Sequence, residues 1–313
     1  MKRILGNTDL EITPIAFGGN VFGWTIDEAQ SFRILDQFTA DGFNFIDTAN
    51  SYSHWKPGNK GGESETIIGN WLQKHRRRND VMIATKVGSA IGGSGTRLQK
   101  DYIINEAEKS LKRLQTDYID LYFSHYDDET LTVEEPLLAY EQLIKDGKVR
   151  WIGASNFTAP RLRESLVAAS ANNLPQYQVY QPGYNLYDRE GFEAEHQQLC
   201  LDFKLGVIPY YSLASGFLTG KYRDNDDLSK SPRGAGVSKY LNNKGFNILA
   251  ALDQVATKHQ VEPAAIALAW LLHQPSISAP IASVTDLQQL GSFRAAVQVK
   301  LDQEDLDQLK VKS

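Results

Sequence analysis

The sequence predicts an α/β fold: a closed (β/α)8 barrel of the TIM type, with an N-terminal β-hairpin and extra helical segments near the C-terminus. Three observations predict it. Short apolar runs alternate with helical patterns, eight strand–helix units follow the first dozen residues, and no shift in composition divides the 313 residues. Eight units of this size suit a closed barrel better than the alternative, an open doubly wound sheet carrying an insert. A single domain spanning residues 1–313 is expected.

The elements follow in order. Residues 2–5 and 11–13 flank the turn-prone Gly6, Asn7, Thr8 and Asp9 and read as a hairpin. An apolar run at Ile15, Ala16 and Phe17 precedes a helix over about 27–41, where Ala29, Phe32, Leu35 and Phe38 form one stripe. Further strand–helix pairs fall at 43–46 and 64–75, 81–85 and 101–114, 118–124 and 133–145, and 149–154 and 158–170. The helix over 133–145 stops at Gly147, a residue that readily turns out of a helix. The later pairs are 178–180 with 189–204, 207–210 with helices at 247–258 and 263–272, and 277–281 with a helix capped by Thr285 and Asp286. A tail at 303–311 forms a last helix, and the polar, Gly- and Ser-rich stretch 222–244 and the segment 53–63 read as long loops of the kind that form lids or stay disordered.

Composition narrows the function classes. Net charge is −5, and the only basic run is Arg76, Arg77 and Arg78, read as a solvated helix end, so nucleic acid is not expected as a partner. Cys200 is the single cysteine, which excludes an internal disulfide and cysteine-cluster metal sites and fits a reducing compartment. The N-terminus lacks the apolar core of a signal peptide, and no run reaches the roughly 18 apolar residues of a membrane span. A soluble cytoplasmic protein with no membrane partner is expected.

Barrel sites lie at the C-terminal ends of the strands, so the residues closing each apolar run carry the functional signal. The second run closes on Asp47, the third on Lys86 and the fourth on His125, spaced 39 residues apart each time. Such spacing puts three ionisable groups at one height on consecutive strands, with Tyr52 able to fold back over them. A buried Asp47–Lys86 pair is expected to place positive charge beside the Tyr52 hydroxyl and lower its pKa, which is about 10 in free tyrosine. A tyrosine so tuned can protonate a carbonyl oxygen while His125 hydrogen-bonds to it. No G-x-G-x-x-G follows a strand: the Gly93, Ser94, Gly95 run continues to Leu98. Gly216 to Lys221 fails as a P-loop, no His pair has metal-ligand spacing, and no G-x-S-x-G is present.

FIDTANSY (45–52), ATK (84–86), His125, IGASNF (152–157), LASGFLTGKY (213–222) and GNKGGESETIIG (58–69) together resemble the aldo-keto reductase superfamily. The last motif resembles its bacterial branch related to potassium-channel β subunits. The resemblance spans nearly the whole chain and implies an NAD(P)H-dependent reductase of small aldehydes or ketones. It casts Tyr52 as proton donor, Asp47 and Lys86 as its tuning pair, and His125 as the group orienting the substrate oxygen. Ser155, Asn156 and Gln181 match the positions that hold the nicotinamide carboxamide, and Tyr210 the ring on which nicotinamide stacks. Leu213, Ser215, Gly216 and Lys221 match the pyrophosphate loop, with Ser212 where the family commonly has proline. Gly19 and Asn20 join the cofactor-binding positions, and Ser283, Thr285 and Gln289 fall at the adenosine end. Val284 follows Ser283 where an arginine would grip a 2′-phosphate; Arg294, two helical turns beyond Thr285, is the substitute.

NADPH is the expected cofactor, with NADH the alternative, and no metal is expected. Phe22, Trp24 and Trp55 are the candidate walls of an apolar substrate pocket. No motif specifies an oligomeric state. Two other functions compete: a cofactor-binding, redox-sensing partner subunit with little turnover, and a Schiff-base lyase using Lys86. The adjacent Asp47 argues against the lyase, because a paired lysine stays protonated.

Overall fold

The computed structural model describes residues 2–91 and 97–310; the Gly93, Ser94, Gly95 run and Val311 of the expected tail lie outside them. Strands β1 (Arg3–Ile4) and β2 (Glu11–Ile12) pair antiparallel as the expected hairpin. Eight parallel strands follow: β3 (Ala16–Gly18), β4 (Phe45–Asp47), β5 (Met82–Val87), β6 (Ile119–Ser124), β7 (Val149–Ser155), β8 (Val179–Gln181), β9 (Gly206–Val207) and β10 (Ile281–Ala282). They form one sheet in the order β10-β3-β4-β5-β6-β7-β8-β9. The two ends meet: Val207 bridges Ile277, and Ile281 N donates to Pro209 O at 2.9 Å. The sheet closes as a (β/α)8 barrel.

Alternation along the strands sorts residues between two apolar layers. Ala16, Phe45, Ala84, Leu121, Phe123, Val179 and Ile281 point inward and share a cluster with Leu5, Leu10 and Ile12 of the hairpin, which plugs the N-terminal end. Ile46, Ile83, Tyr122 and Ile152 point outward and pack beneath the helices. The same period puts Asp47, Lys86 and His125 on the inner side, each two residues beyond an inward apolar residue: Phe45, Ala84 and Phe123. Ten α-helices surround the sheet among the described residues, including α1 (Glu28–Ala40), α2 (Glu63–His75), α3 (Lys100–Leu114), α4 (Glu134–Lys145), α5 (Ala159–Ala171), α6 (Gln197–Asp202), α7 (Asn243–His259), α8 (Pro263–Leu272), α9 (Leu290–Gln298) and α10 (Gln303–Gln308).

Local expectations are refined at four places. The helix expected over 189–204 is found over 190–202, with its middle turn, Phe192–His196, wound as a π-helix. The helix expected from residue 247 starts at Asn243, because the Asn242 side chain accepts from Gly245 N and caps it earlier. The arginine triplet is not merely solvated. Arg78 donates to Tyr118 O, Val81 O and Thr116 Oγ1, and pairs with buried Asp120 at 2.7 Å. The stretch 222–244 is folded into two 3-10 turns, Asp226–Lys230 and Gly234–Tyr240, anchored by buried Tyr222, Val237 and Tyr240. No helix among the described residues is long and apolar enough to cross a membrane.

Candidate active site

Register aligns the strand ends that carry the expected residues. Gly18 pairs with Asp47, Asp47 with Ala84, Lys86 with Phe123, and Ser155 with Gln181, so all reach the same C-terminal rim. The loop after β4 is pinned to β5 by Thr48 N to Ala84 O (2.8 Å) and Asn50 N to Lys86 O (3.2 Å), which folds Tyr52 back over the rim.

Lys86 is fully buried, and its Nζ donates to Asp47 Oδ1 (2.7 Å), Asp47 Oδ2 (2.6 Å), Thr48 O (2.8 Å) and Tyr52 Oη (2.9 Å). Tyr52 Oη in turn donates to Asp47 Oδ2 at 3.3 Å. Asp47 is held from a third side by Gln181 Nε2, 3.0 Å from Oδ1. The His125 ring lies 6.0 Å from the Tyr52 ring and stacks on Tyr126 at 5.0 Å. Its Nδ1 is buried without a hydrogen-bond partner.

Electrostatics corrects one expectation. Tyr52 was expected to be acidified by Lys86; instead burial first, and the Asp47 carboxylate second, push it well above the usual phenol range. The physical reason is that the hydroxyl is buried and meets a nearly neutralised Asp47–Lys86 pair rather than the ammonium alone. Burial lowers Lys86, opposed by Asp47. Burial, then the Lys86 charge, hold His125 well below its usual range, which keeps the imidazole neutral at pH 7.

The remaining expected residues divide into those that converge and those that do not. Asn156, in the left-handed region at φ 58°, donates to His125 O (2.9 Å) and Ser155 Oγ (3.1 Å) and accepts from Tyr210 Oη (2.6 Å). Ser155 Oγ donates to Gln181 O at 2.9 Å. This chain of bonds joins Ser155, Asn156, Gln181 and Tyr210 to the Asp47–Lys86–Tyr52 cluster. Ala214, Ser215 and Gly216 take positive φ in succession, at 48°, 58° and 97°, and follow Leu213 in a tight turn. A Cβ on Gly216 would sit 3.3 Å from Lys221 Nζ, so the ammonium lies over the glycine. Ser212 is buried and donates to Pro209 O, turning its side chain away from that turn.

At β10, the Ser283 hydroxyl lies between Gly18 O (2.7 Å) and Asn20 Oδ1 (2.8 Å), beside Gly19. Gln289 Oε1 accepts from Thr285 N at 2.9 Å, and Arg294 is engaged by Asp41 at the end of α1, away from a role as a free phosphate grip. Phe22 is corrected outright: it is fully buried and stacks on Phe17 at 5.2 Å, a core ring rather than a pocket wall. Trp24 and Trp55 do meet at the rim, edge to face at 5.5 Å, with Trp55 also 6.2 Å from Tyr52.

Four residues escaped sequence reasoning. Tyr126 and Tyr211, exposed beside His125 and Tyr210, were signalled only by adjacency to them. Arg233, in the polar stretch, lies 5.4 Å over Trp24 and donates to Asn20 Oδ1 at 3.2 Å; nothing in its local sequence marks it. Glu65 lies buried behind the rim.

With this geometry established, comparison with known proteins defines the class. The Aldo/keto reductase family model matches residues 14–313, and the chain belongs to that family. It is 34% identical to an uncharacterized oxidoreductase, YrpG, of Bacillus subtilis, over 97% of this chain and 93% of that protein. It is 30% identical to norsolorinic acid reductase B of Aspergillus parasiticus, over 99% of this chain and 83% of the other. It is also 30% identical to a probable voltage-gated potassium channel subunit beta of Arabidopsis thaliana, over 94% and 90% of the two chains. The protein is therefore an oxidoreductase of a family that typically uses nicotinamide cofactors and acts on small carbonyl compounds.

Proposed function

We propose that the protein is an NADPH-dependent reductase that converts aldehydes or ketones to alcohols, with Tyr52 as proton donor. The observation that carries this reading is the hydrogen-bonded Asp47–Lys86–Tyr52 array at the barrel mouth. A dinucleotide suits the surrounding residues. Lys221 has no carboxylate partner among the described residues and lies over the Gly216 cradle beside the Tyr222 ring, which suits a pyrophosphate. Ser155, Asn156 and Gln181 would hold the carboxamide, Tyr210 would support the ring, and Gly19, Asn20, Ser283, Thr285 and Gln289 would line the adenosine half. The preference for NADPH over NADH rests on family resemblance at that end, since Arg294 is already paired with Asp41.

A reduced nicotinamide, when held there, would supply the hydride for the carbonyl carbon. Tyr52, kept protonated by burial and by Asp47, gives its proton to the carbonyl oxygen as negative charge develops there. Lys86 then stabilises the phenolate left behind, since its Nζ is already 2.9 Å from Oη. Neutral His125 hydrogen-bonds to the same oxygen and orients it. A Schiff-base role for Lys86 is disfavoured: an ammonium with four acceptors and no exposed surface has no free lone pair to offer.

Fluorescence titration with NADPH and NADH followed by an aldehyde and ketone screen tests the proposal. Tyr52→Phe is expected to bind NADPH within about twofold of the parent, while kcat falls about 10²–10⁴-fold. Full activity in that variant refutes the assignment. Similarity to the channel subunit supports a second reading, a cofactor-holding subunit with little turnover. Tight NADPH binding without steady turnover on any carbonyl would favour it.

A further inference from the structure

Glu65 is a charged group that the proposed reaction does not use. It lies in the first turn of α2, fully buried, on the outer side of the sheet. Its Oε1 accepts from Thr85 Oγ1 at 2.5 Å, and its Oε2 accepts from Arg113 Nε at 2.6 Å. Thr85 is the residue immediately before Lys86 on β5. The strand therefore presents its threonine to a buried carboxylate on one face and its lysine to Asp47 and Tyr52 on the other.

Packing fixes this arrangement closely. A Cβ on Gly69 would fall 2.1 Å from Arg113 O, and one on Gly62 would fall 2.5 Å from Arg113 Cδ. Gly62, just before α2, and Gly69 within it thus let the helix lie directly on Arg113 at the end of α3, bringing Glu65 between the arginine and the strand. A buried carboxylate is costly unless paired and hydrogen-bonded, and here both oxygens are engaged.

We propose that Glu65 is a positioning residue for the Lys86–Tyr52 pair, fixing β5 through Thr85 and favouring the Lys86 ammonium from behind the strand. The proposal rests on the reductase reading for its kinetic consequence. The charged and titratable groups facing the Lys86–Tyr52 pair are Asp47 on β4, His125 beyond β6, Tyr126, Tyr210 and Arg233 at the rim, and Glu65 on α2, with Arg113 of α3 behind Glu65. Glu106, also on α3, is paired with Lys109 and Asn50, and buried Tyr122 adds a neutral phenol beside Glu65. Among these, Glu65 and Arg113 are the pair outside the barrel wall, and they act on Lys86 with opposite sign.

That opposition gives the test. Glu65→Gln removes the anion that offset Arg113, a single loss of negative charge that disfavours the protonated Lys86–Tyr52 pair. Its alkaline limb in the kcat/KM profile for NADPH-driven carbonyl reduction is expected to move to lower pH by about half a unit or more. Arg113→Met leaves Glu65 uncompensated and is expected to move the limb to higher pH. The double variant should return close to the parent value. Thr85→Val keeps both charges and should lower kcat without moving the limb.

The same shifts are read without cofactor or substrate by following the ¹⁵Nζ signal of Lys86 against pH in lysine-labelled protein. Shifts of opposite sign in the two single variants support the proposal, because a general packing defect does not reverse sign. Unmoved limbs and an unmoved Lys86 titration, or shifts of the same sign, overturn it. Should Glu65→Gln fail to fold, Arg113→Met decides the matter alone, since its side chain is partly exposed. Opposite shifts of Lys86 in a protein that reduces no carbonyl would uphold the electrostatic role and refute the reductase reading.

Discussion

His125 and Tyr52 are held in neutral forms by burial, and the direction of each shift has a measurable consequence. His125 is lowered well below its usual pKa, by burial and then by Lys86. Below about pH 6.5 the unfolded chain takes up a proton that the folded ring refuses, so stability falls as pH drops through that value toward the folded pKa. Replacing His125 with Asn should flatten this loss between pH 7 and 5, read as a smaller change in the urea midpoint than in the parent. Cys200 gives a second case. Burial raises its thiol to about 12, so almost no thiolate exists at pH 8 in the folded protein. Ellman's reagent should label it at least about 100-fold more slowly in native protein than in urea-unfolded protein. Fast native labelling would mean that α6 opens readily.

At the scale of elements, α10 shows how a six-residue helix stays docked. Its Asp305 is buried, forms a capping box with Asp302, and accepts from Lys258 (2.7 Å) and His259 (2.7 Å) at the end of α7. Burial pushes Asp305 up, but hydrogen bonds from Lys258 and His259 outweigh it and bring the carboxyl to about 2. A depressed carboxylate stabilises above its unfolded pKa of about 3.9 and loses that contribution as pH falls through 2. Asp305→Asn should cost about 1–3 kcal/mol at pH 7 in urea unfolding. The difference from the parent should shrink steadily below pH 4. An equal difference at pH 7 and pH 3 would show that the cap geometry, not the charge, holds the helix.

Across the whole molecule, the two ends of the barrel divide the work. The C-terminal rim gathers the ionisable array, while the hairpin seals the opposite end with Leu5, Leu10 and Ile12. Asp9 clamps the hairpin by accepting from Trp151 Nε1 at 2.7 Å and pairing with Arg150 at 3.0 Å; Arg150 continues to Asp120 at 2.9 Å. Asp9→Ala should lower Tm by about 2 °C through loss of about 1 kcal/mol, with kcat and KM for a carbonyl substrate unchanged. A variant that loses turnover in step with Tm would show that the ends are coupled.

The alternation of elements, the hairpin and the three strand-end residues Asp47, Lys86 and His125 were legible because each depends on local periodicity: side chains two apart share a face, and a repeated unit returns them to one height. Tyr52 was legible from its place just beyond Asp47, and motif resemblance supplied the converging Ser155, Asn156, Gln181 and Tyr210. Phe22 was misread because loop position says nothing about burial, and its stacking partner Phe17 is recruited by the fold. The acidification expected for Tyr52 also failed. Sequence shows that a lysine and an aspartate are near, but the sign of their joint effect depends on ångström-scale distances and on dielectric. Arg233, Glu65 and the pairing of Arg294 with Asp41 lie between segments far apart in the chain. Order along the chain thus determined which strands carry charge at their ends. Closure of the barrel decided which charges meet, because a through-space energy depends on separations that no local pattern contains.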